Sequence, residues 1–172
     1  MQMEIESLIR QYDFNYSYAQ ALVKDLSDEQ MTLTPAKGLV NHAAFTLGHL
    51  VSGSALVAKK LGSAYEMQKD WKDLFLRKGP GDPREPDLNT DKYPSKVELL
   101  QELKNQHEEV KSLLRKLDLA FLSKEQEWRF KIYMPILYDY LLFMCVNHEA
   151  MHLGQLAAWR RSIGLTSALA TL

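Results

Sequence analysis

The sequence predicts an all-α protein built as a four-helix bundle. Four segments repeat apolar residues at spacings of three and four, the period of a helix with one buried stripe. Valine and isoleucine are sparse, and period-two alternation never persists, so no segment reads as a strand. One long connection, from Ser63 to Pro94, separates the second and third helices, as in bundles that carry a crossover. A length of 172 residues suits a single domain covering 1–172.

The first helix is expected from about Glu4 to Leu26, with Ile5, Leu8, Ile9, Tyr12, Tyr16, Ala19, Leu22, Val23 and Leu26 on one stripe. Ser27-Asp28-Glu29-Gln30 then matches a capping box, which suggests a short turn of helix. Thr34 to Gly38 has loop chemistry. The second helix should run from Val40 or Asn41 to Leu61, with Asn41 as a candidate N-cap and Gly62 as terminator. It carries Phe45, His49, Leu56 and Val57.

The front of the long connection, around Met67 to Leu76, can form a short helix with Trp71, Leu74 and Phe75 on one side. Its back half holds four prolines and two glycines between Arg77 and Pro94, a true loop whose length points to a functional role. The third helix begins with a capping box, Ser95 as N-cap and Glu98 at N3. Val97, Leu100, Leu103, Val110, Leu114 and Leu117 mark its stripe to about Leu119, and a polar linker follows from Ala120 to Lys131. The fourth helix is expected from Pro135 to Ile163, stopped by Gly164. Its apolar first half suggests the most buried helix of the four.

Composition narrows the function. The hydrophobic fraction is 46% and the charged fraction 25%, with a net charge of −1 and signs interleaved. Nucleic acid is not a favoured partner, because counterion release needs clustered Lys and Arg. The N-terminus lacks the basic and apolar regions of a signal peptide, and no run approaches the ~18 apolar residues of a membrane span. The lone Cys145 cannot make an internal disulfide. A cytoplasmic protein with no membrane partner is expected.

The five histidines are the informative residues. His148 and His152 lie four apart, so a helix puts both on one face, ~6 Å apart along its axis. Imidazoles at that spacing can converge on one ion at ~2.0–2.1 Å. His49, on an apolar helix that must pack inside the bundle, is the natural third donor from a facing helix. His42 lies seven residues earlier, ~10 Å along the axis, too far to share the ion, and reads as a rim or capping residue. His107 has polar sequence neighbours and is expected at the solvated surface.

His148 to His152 also spells H-E-x-x-H, the zincin metalloprotease motif. No Asp, Glu or His follows His152, and Gln155 and Ala158 stand where the metzincin extension needs Gly and His. A protease is therefore a distant alternative.

The segments N41-H-A-A-F-T-L-G-H-L50 and N147-H-E-A-M-H-L-G-Q-L-A-A-W-R-R-S-I-G-L165 resemble the two motif regions of the DinB/YfiT-like superfamily. The second is the more specific, with its H-x-x-x-H-x-G-Q-x-x-x-x-R-R-x-x-G-L pattern. Length, helix order and the long connection also match. The resemblance implies an up-down-down-up bundle, a divalent transition metal on His49, His148 and His152, and a homodimer. It also implies thiol S-transferase chemistry with a low-molecular-weight thiol such as bacillithiol or mycothiol in several members, maleylpyruvate isomerase activity in others, and no known activity in many. Zinc or nickel is favoured, with manganese and iron also compatible.

Three neutral histidines leave a coordination position open, which suits a metal-dependent enzyme on a small-molecule substrate, a thiol transferase or a hydrolase. The alternative is a non-catalytic, stress-related metal-binding protein. Around the site, Glu149 either hydrogen-bonds a ligand imidazole or faces solvent, the second being favoured. Cys145 reads as a packed core thiol, and Tyr138 and Leu141 as pocket wall. Gln155 suits a polar bond in the bundle or a cap-like contact. Arg160 and Arg161 suit either an anionic thiol or acids on another helix.

Overall fold

The computed structural model describes residues 2–35, 38–79 and 81–172. Ala36 and Lys37, in the segment expected to be a loop, and Pro80 in the long connection lie outside the described residues.

Helix α1 spans Gln2–Val23 and α2 spans Ala43–Lys60. The short α3, Lys69–Phe75, lies in the long connection, and α4 spans Lys96–Leu114. After the single turn α5, Leu119–Leu122, one continuous rod runs as α6, Leu137–Leu142, a π-helical stretch, Phe143–His148, and α7, Glu149–Ser162. Among the described residues the only β pairing is an isolated bridge between Glu125 and Ile136.

Local chemistry explains the boundaries. Ser95 Oγ accepts from the Glu98 N–H at 3.3 Å, and Glu98 Oε2 accepts from the Ser95 N–H at 2.9 Å, so the expected capping box forms. Ser27 and Gln30 make the same reciprocal pair before the 3-10 turn Gln30–Thr32. Gly62 ends α2 at φ +95°, where Ser63 N bonds Ala58 O at 2.9 Å and Gly62 N bonds Lys59 O at 3.0 Å, a Schellman closure. Gly164 closes α7 the same way.

The long helices pack in a ring: α1 on α4, α4 on α2, α2 on α7 and α7 on α1. Two apolar clusters fill the ring. One joins Leu22, Leu47, Phe75, Leu103, Leu156 and Trp159; the other joins Leu8, Ile9, Val57, Leu114, Leu141 and Cys145. α1 and the last rod run from the second cluster to the first, while α2 and α4 run the other way. Burial of each Leu-sized chain is worth about 1.5–3 kcal/mol, so these layers carry the fold. Trp159 ties the loop after α1 to the core by donating its indole N–H to Leu33 O at 2.8 Å.

Three expectations need correction. α2 is the most buried helix, since it sits between α4 and α7 with α3 against it. The last rod faces a cavity along much of its first half. Val97 is 72% exposed; the buried stripe of α4 instead passes through Leu99, Leu103, Val110 and Leu114. α4 also stops at Leu114, before the separate turn α5.

Candidate metal centre

The first donor comes from α2. Its N-cap is His42, not Asn41: the imidazole Nδ1 accepts from the Phe45 N–H at 3.2 Å. His42 is buried and its pKa is pushed down to about 4 by desolvation, which keeps it a neutral acceptor. Two turns later Gly48 leaves bare backbone for the Phe75 ring. A Cβ at Gly48 would stand only 2.3 Å from that ring. Phe75 docked there puts its own carbonyl 3.0 Å from His49 Nδ1. A carbonyl only accepts, so Nδ1 carries the proton and Nε2 keeps its lone pair for a cation.

The other two donors come from the last rod. Asn15 of α1, almost fully buried, donates its Nδ2 to the carbonyls of Cys145 (3.2 Å) and Val146 (3.1 Å). Both carbonyls lie in the π-helical stretch, whose wider turn frees backbone acceptors. His148 is the last residue of that stretch. Its Nε2 lies 3.2 Å from His152 Nε2, an approach that only a shared proton or a shared cation makes favourable. Gly53 of α2 faces the His148 ring; a Cβ there would touch Cε1 at 3.4 Å. The Gln155 side chain lies close enough to His152 to oppose the fall in its pKa.

Donor atoms of His49, His148 and His152 all lie within 4.8 Å of one another. Ligands on one tetrahedral ion at ~2.1 Å are about 3.4 Å apart, so the His148–His152 spacing of 3.2 Å already fits, and the His49 donor lies within 4.8 Å of both. Burial pushes the pKa of His148 down to about 4 and of His152 to about 3, with neighbouring imidazoles adding to the shift; His49 is lowered for the same first reason. At neutral pH all three present lone pairs, the state a metal needs.

The cluster forms one wall of a cavity of about 730 Å³. Phe45 and Met144 flank it, Trp128 and Phe143 face in, and the loop bearing Arg77 and Arg84 closes one side. Tyr138 and Leu141 are not part of this wall. Leu141 is core, and Tyr140, Phe143 and Met144 take the place expected of that pair.

His107 is not at the surface. It is 2% exposed, stacked on Tyr12 at 3.6 Å, and bonded through Nε2 to Glu149 Oε1 at 2.9 Å. Glu149 faces neither solvent nor a cluster imidazole. Its carboxylate is sealed between helices with His107, Asn15 and Ser54, and Tyr12 donates to Ser54 Oγ at 2.7 Å. Burial raises its pKa, and those hydrogen bonds oppose the rise. A zincin needs this glutamate over the metal, so the protease reading loses its base. Cys145 is a buried core thiol, its pKa pushed well up by burial. Arg160 takes Asp25 (Nη2–Oδ2 2.7 Å) and the carbonyls of Leu22 and Thr166, so it braces the end of α1 rather than facing the cavity. Arg161 is exposed.

A family model described as the DinB superfamily matches residues 11–156. The chain belongs to the DinB superfamily. The match to this DinB model includes all three clustered histidines and ends before Arg160. A conserved protein from Enterococcus faecalis, known from its crystal structure, is similar in fold. It is 15% identical, with 92% of this chain and 95% of that chain covered and a TM-score of 0.69. A comparison with curated proteins gives no match. Among the described residues no helix is long and apolar enough to cross a membrane.

Proposed function

We propose that His49, His148 and His152 hold one divalent transition metal and that this DinB protein uses it on a small molecule bound in the adjoining cavity. The observation that carries the reading is the convergence of three neutral imidazoles on the wall of a 730 Å³ space. A volume of that size accepts a drug-sized molecule or two smaller reactants. A divalent ion bound there would supply Lewis acidity, lowering the pKa of a thiol or a water at its open position.

The chain's own residues do the rest. Phe75 holds the His49 tautomer through its carbonyl, and Asn15 holds the turn that aims His148. Phe45, Phe143, Met144 and Trp128 give a substrate an apolar surface beside the cluster. Room for a second reactant favours thiol S-transfer, of the bacillithiol or mycothiol type, over hydrolysis. Zinc or nickel suits an all-imidazole donor set, with manganese and iron as weaker candidates.

The first test is elemental analysis of the wild type beside His49→Ala, His148→Ala and His152→Ala. A metal-to-protein ratio near one that collapses in the variants is expected. Full occupancy retained in all three would sink the reading. The metal-loaded protein is then assayed for conjugation of small thiols to an electrophile, and for hydrolysis of esters and amides. Metal binding with neither activity leaves a non-catalytic binding protein.

A further inference from the structure

Arg77 and Arg84 both line the cavity, and of the two only Arg84 makes a direct ion pair among the described residues. Arg84 pairs with Asp82 through Nε and Nη2 at 3.0 and 2.6 Å, and Asp82 also accepts the backbone N–H groups of Lys78 and Arg84. That carboxylate is saturated. Arg77, half-buried, donates Nη1 to Leu74 O at 3.0 Å and Nη2 to Glu85 O at 3.4 Å. Among the described residues its hydrogen bonds go to carbonyls alone, and neither of these partners carries charge. Of the five N–H donors on a guanidinium, three stay available.

Position adds to this. The Arg77 guanidinium lies 4.4 Å above the Phe45 ring, and Phe45 stacks on His49, 5.8 Å between centroids and 10° from parallel. Arginine, aromatic ring and imidazole thus form one continuous wall, and Phe143, Met144 and Trp128 make the rest apolar. A guanidinium fork matches a planar carboxylate in two parallel hydrogen bonds. The free face of this single fork suits one planar carboxylate.

We infer that Arg77 is the carboxylate-recognition residue of this cavity, so that its ligand is a small organic carboxylate with an apolar body whose far end reaches the three-histidine cluster. This deepens the proposed metal-dependent function and rests on that reading for the role of the far end. The anion site itself does not depend on bound metal, and the test uses this.

The full-length wild type, Arg77→Met and Arg77→Lys are titrated calorimetrically with 3-phenylpropionate and its neutral amide. Each protein is used metal-loaded and after chelator treatment. The wild type should prefer the carboxylate by about tenfold or more in both states, as expected for hydrogen bonds to a charged group. Arg77→Met should bring the preference to about one, and Arg77→Lys, which keeps the charge and loses the fork, should hold part of it. Unchanged helical circular dichroism certifies each fold. No preference in the wild type overturns the inference. So does a preference that survives in Arg77→Met; if it then exists only with metal loaded, the carboxylate goes to the ion instead. A protein that takes up no metal but keeps an Arg77-dependent preference removes the metal reading and leaves the anion site standing.

Discussion

The last rod separates two polar clusters that use the same residue types for opposite purposes. On its cavity side, His148 and His152 meet His49, half-buried and, among the described residues, without a carboxylate partner. On its core side, one residue further along, Glu149 meets His107, Asn15 and Ser54 in a sealed layer. The first cluster turns imidazole lone pairs toward open space; the second is closed on itself, with His107 Nδ1 buried and unpartnered among the described residues. An imidazole becomes a candidate ligand when it meets other imidazoles beside open space, and a structural strut when a buried carboxylate holds it.

The sharpest way to break this division is His152→Ala. Metal affinity should fall by more than the ~10–100-fold that loss of an outer partner costs, measured by chelator competition. Metal-free stability should move by less than about 1 kcal/mol. Glu149→Ala should do the reverse. Stranding His107 in the core should cost about 3–5 kcal/mol in chemical denaturation. The joint change His107→Leu with Glu149→Met should cost far less, because no buried partner is orphaned. If Glu149→Ala stripped the metal while leaving stability intact, the two clusters would have to be reassigned.

Asn15→Leu tests the link between them. It leaves the carbonyls of Cys145 and Val146 without their donor, at about 1–3 kcal/mol, and should weaken metal binding by ~10–100-fold through the altered aim of His148. Gly48→Ala should cost about 1–3 kcal/mol by evicting the Phe75 ring, and should weaken the metal through His49. The smallest effect is expected outside both clusters. The Arg160 hydrogen bond holds Asp25 below its ordinary 3.8. Its contribution is therefore complete above about pH 4 and is lost as pH falls through the folded value. Asp25 is 51% exposed, so the contribution is under about 1 kcal/mol. Asp25→Asn should flatten that part of the acid limb of an unfolding curve.

How far the sequence was legible varies by residue. The capping boxes at Ser27 and Ser95 and the stops at Gly62 and Gly164 are local motifs, and they formed where expected. The polar residues beside His107 in sequence point to the surface, but they are not its neighbours on the helix. It falls on the buried stripe Leu103, His107, Val110, Leu114, and that spacing was the available signal. Glu149 likewise continues Leu141, Cys145 and Leu153. Nothing in FMCVNH announces a π turn, because the turn is stabilised by Asn15, far away along the chain.

The sequence by itself determined the four long helical segments, the capping box at Ser95, the glycine stops at Gly62 and Gly164 and the pairing of His148 with His152, because these rest on spacing within one segment. Only the tertiary structure decided which ring nitrogen of His49 stays free, where Glu149 points, that Arg77 lacks a carboxylate partner among the described residues, and that an aromatic cavity opens beside the cluster. Those features depend on groups that meet across helices, where packing and hydrogen-bond satisfaction choose among arrangements that periodicity leaves equal.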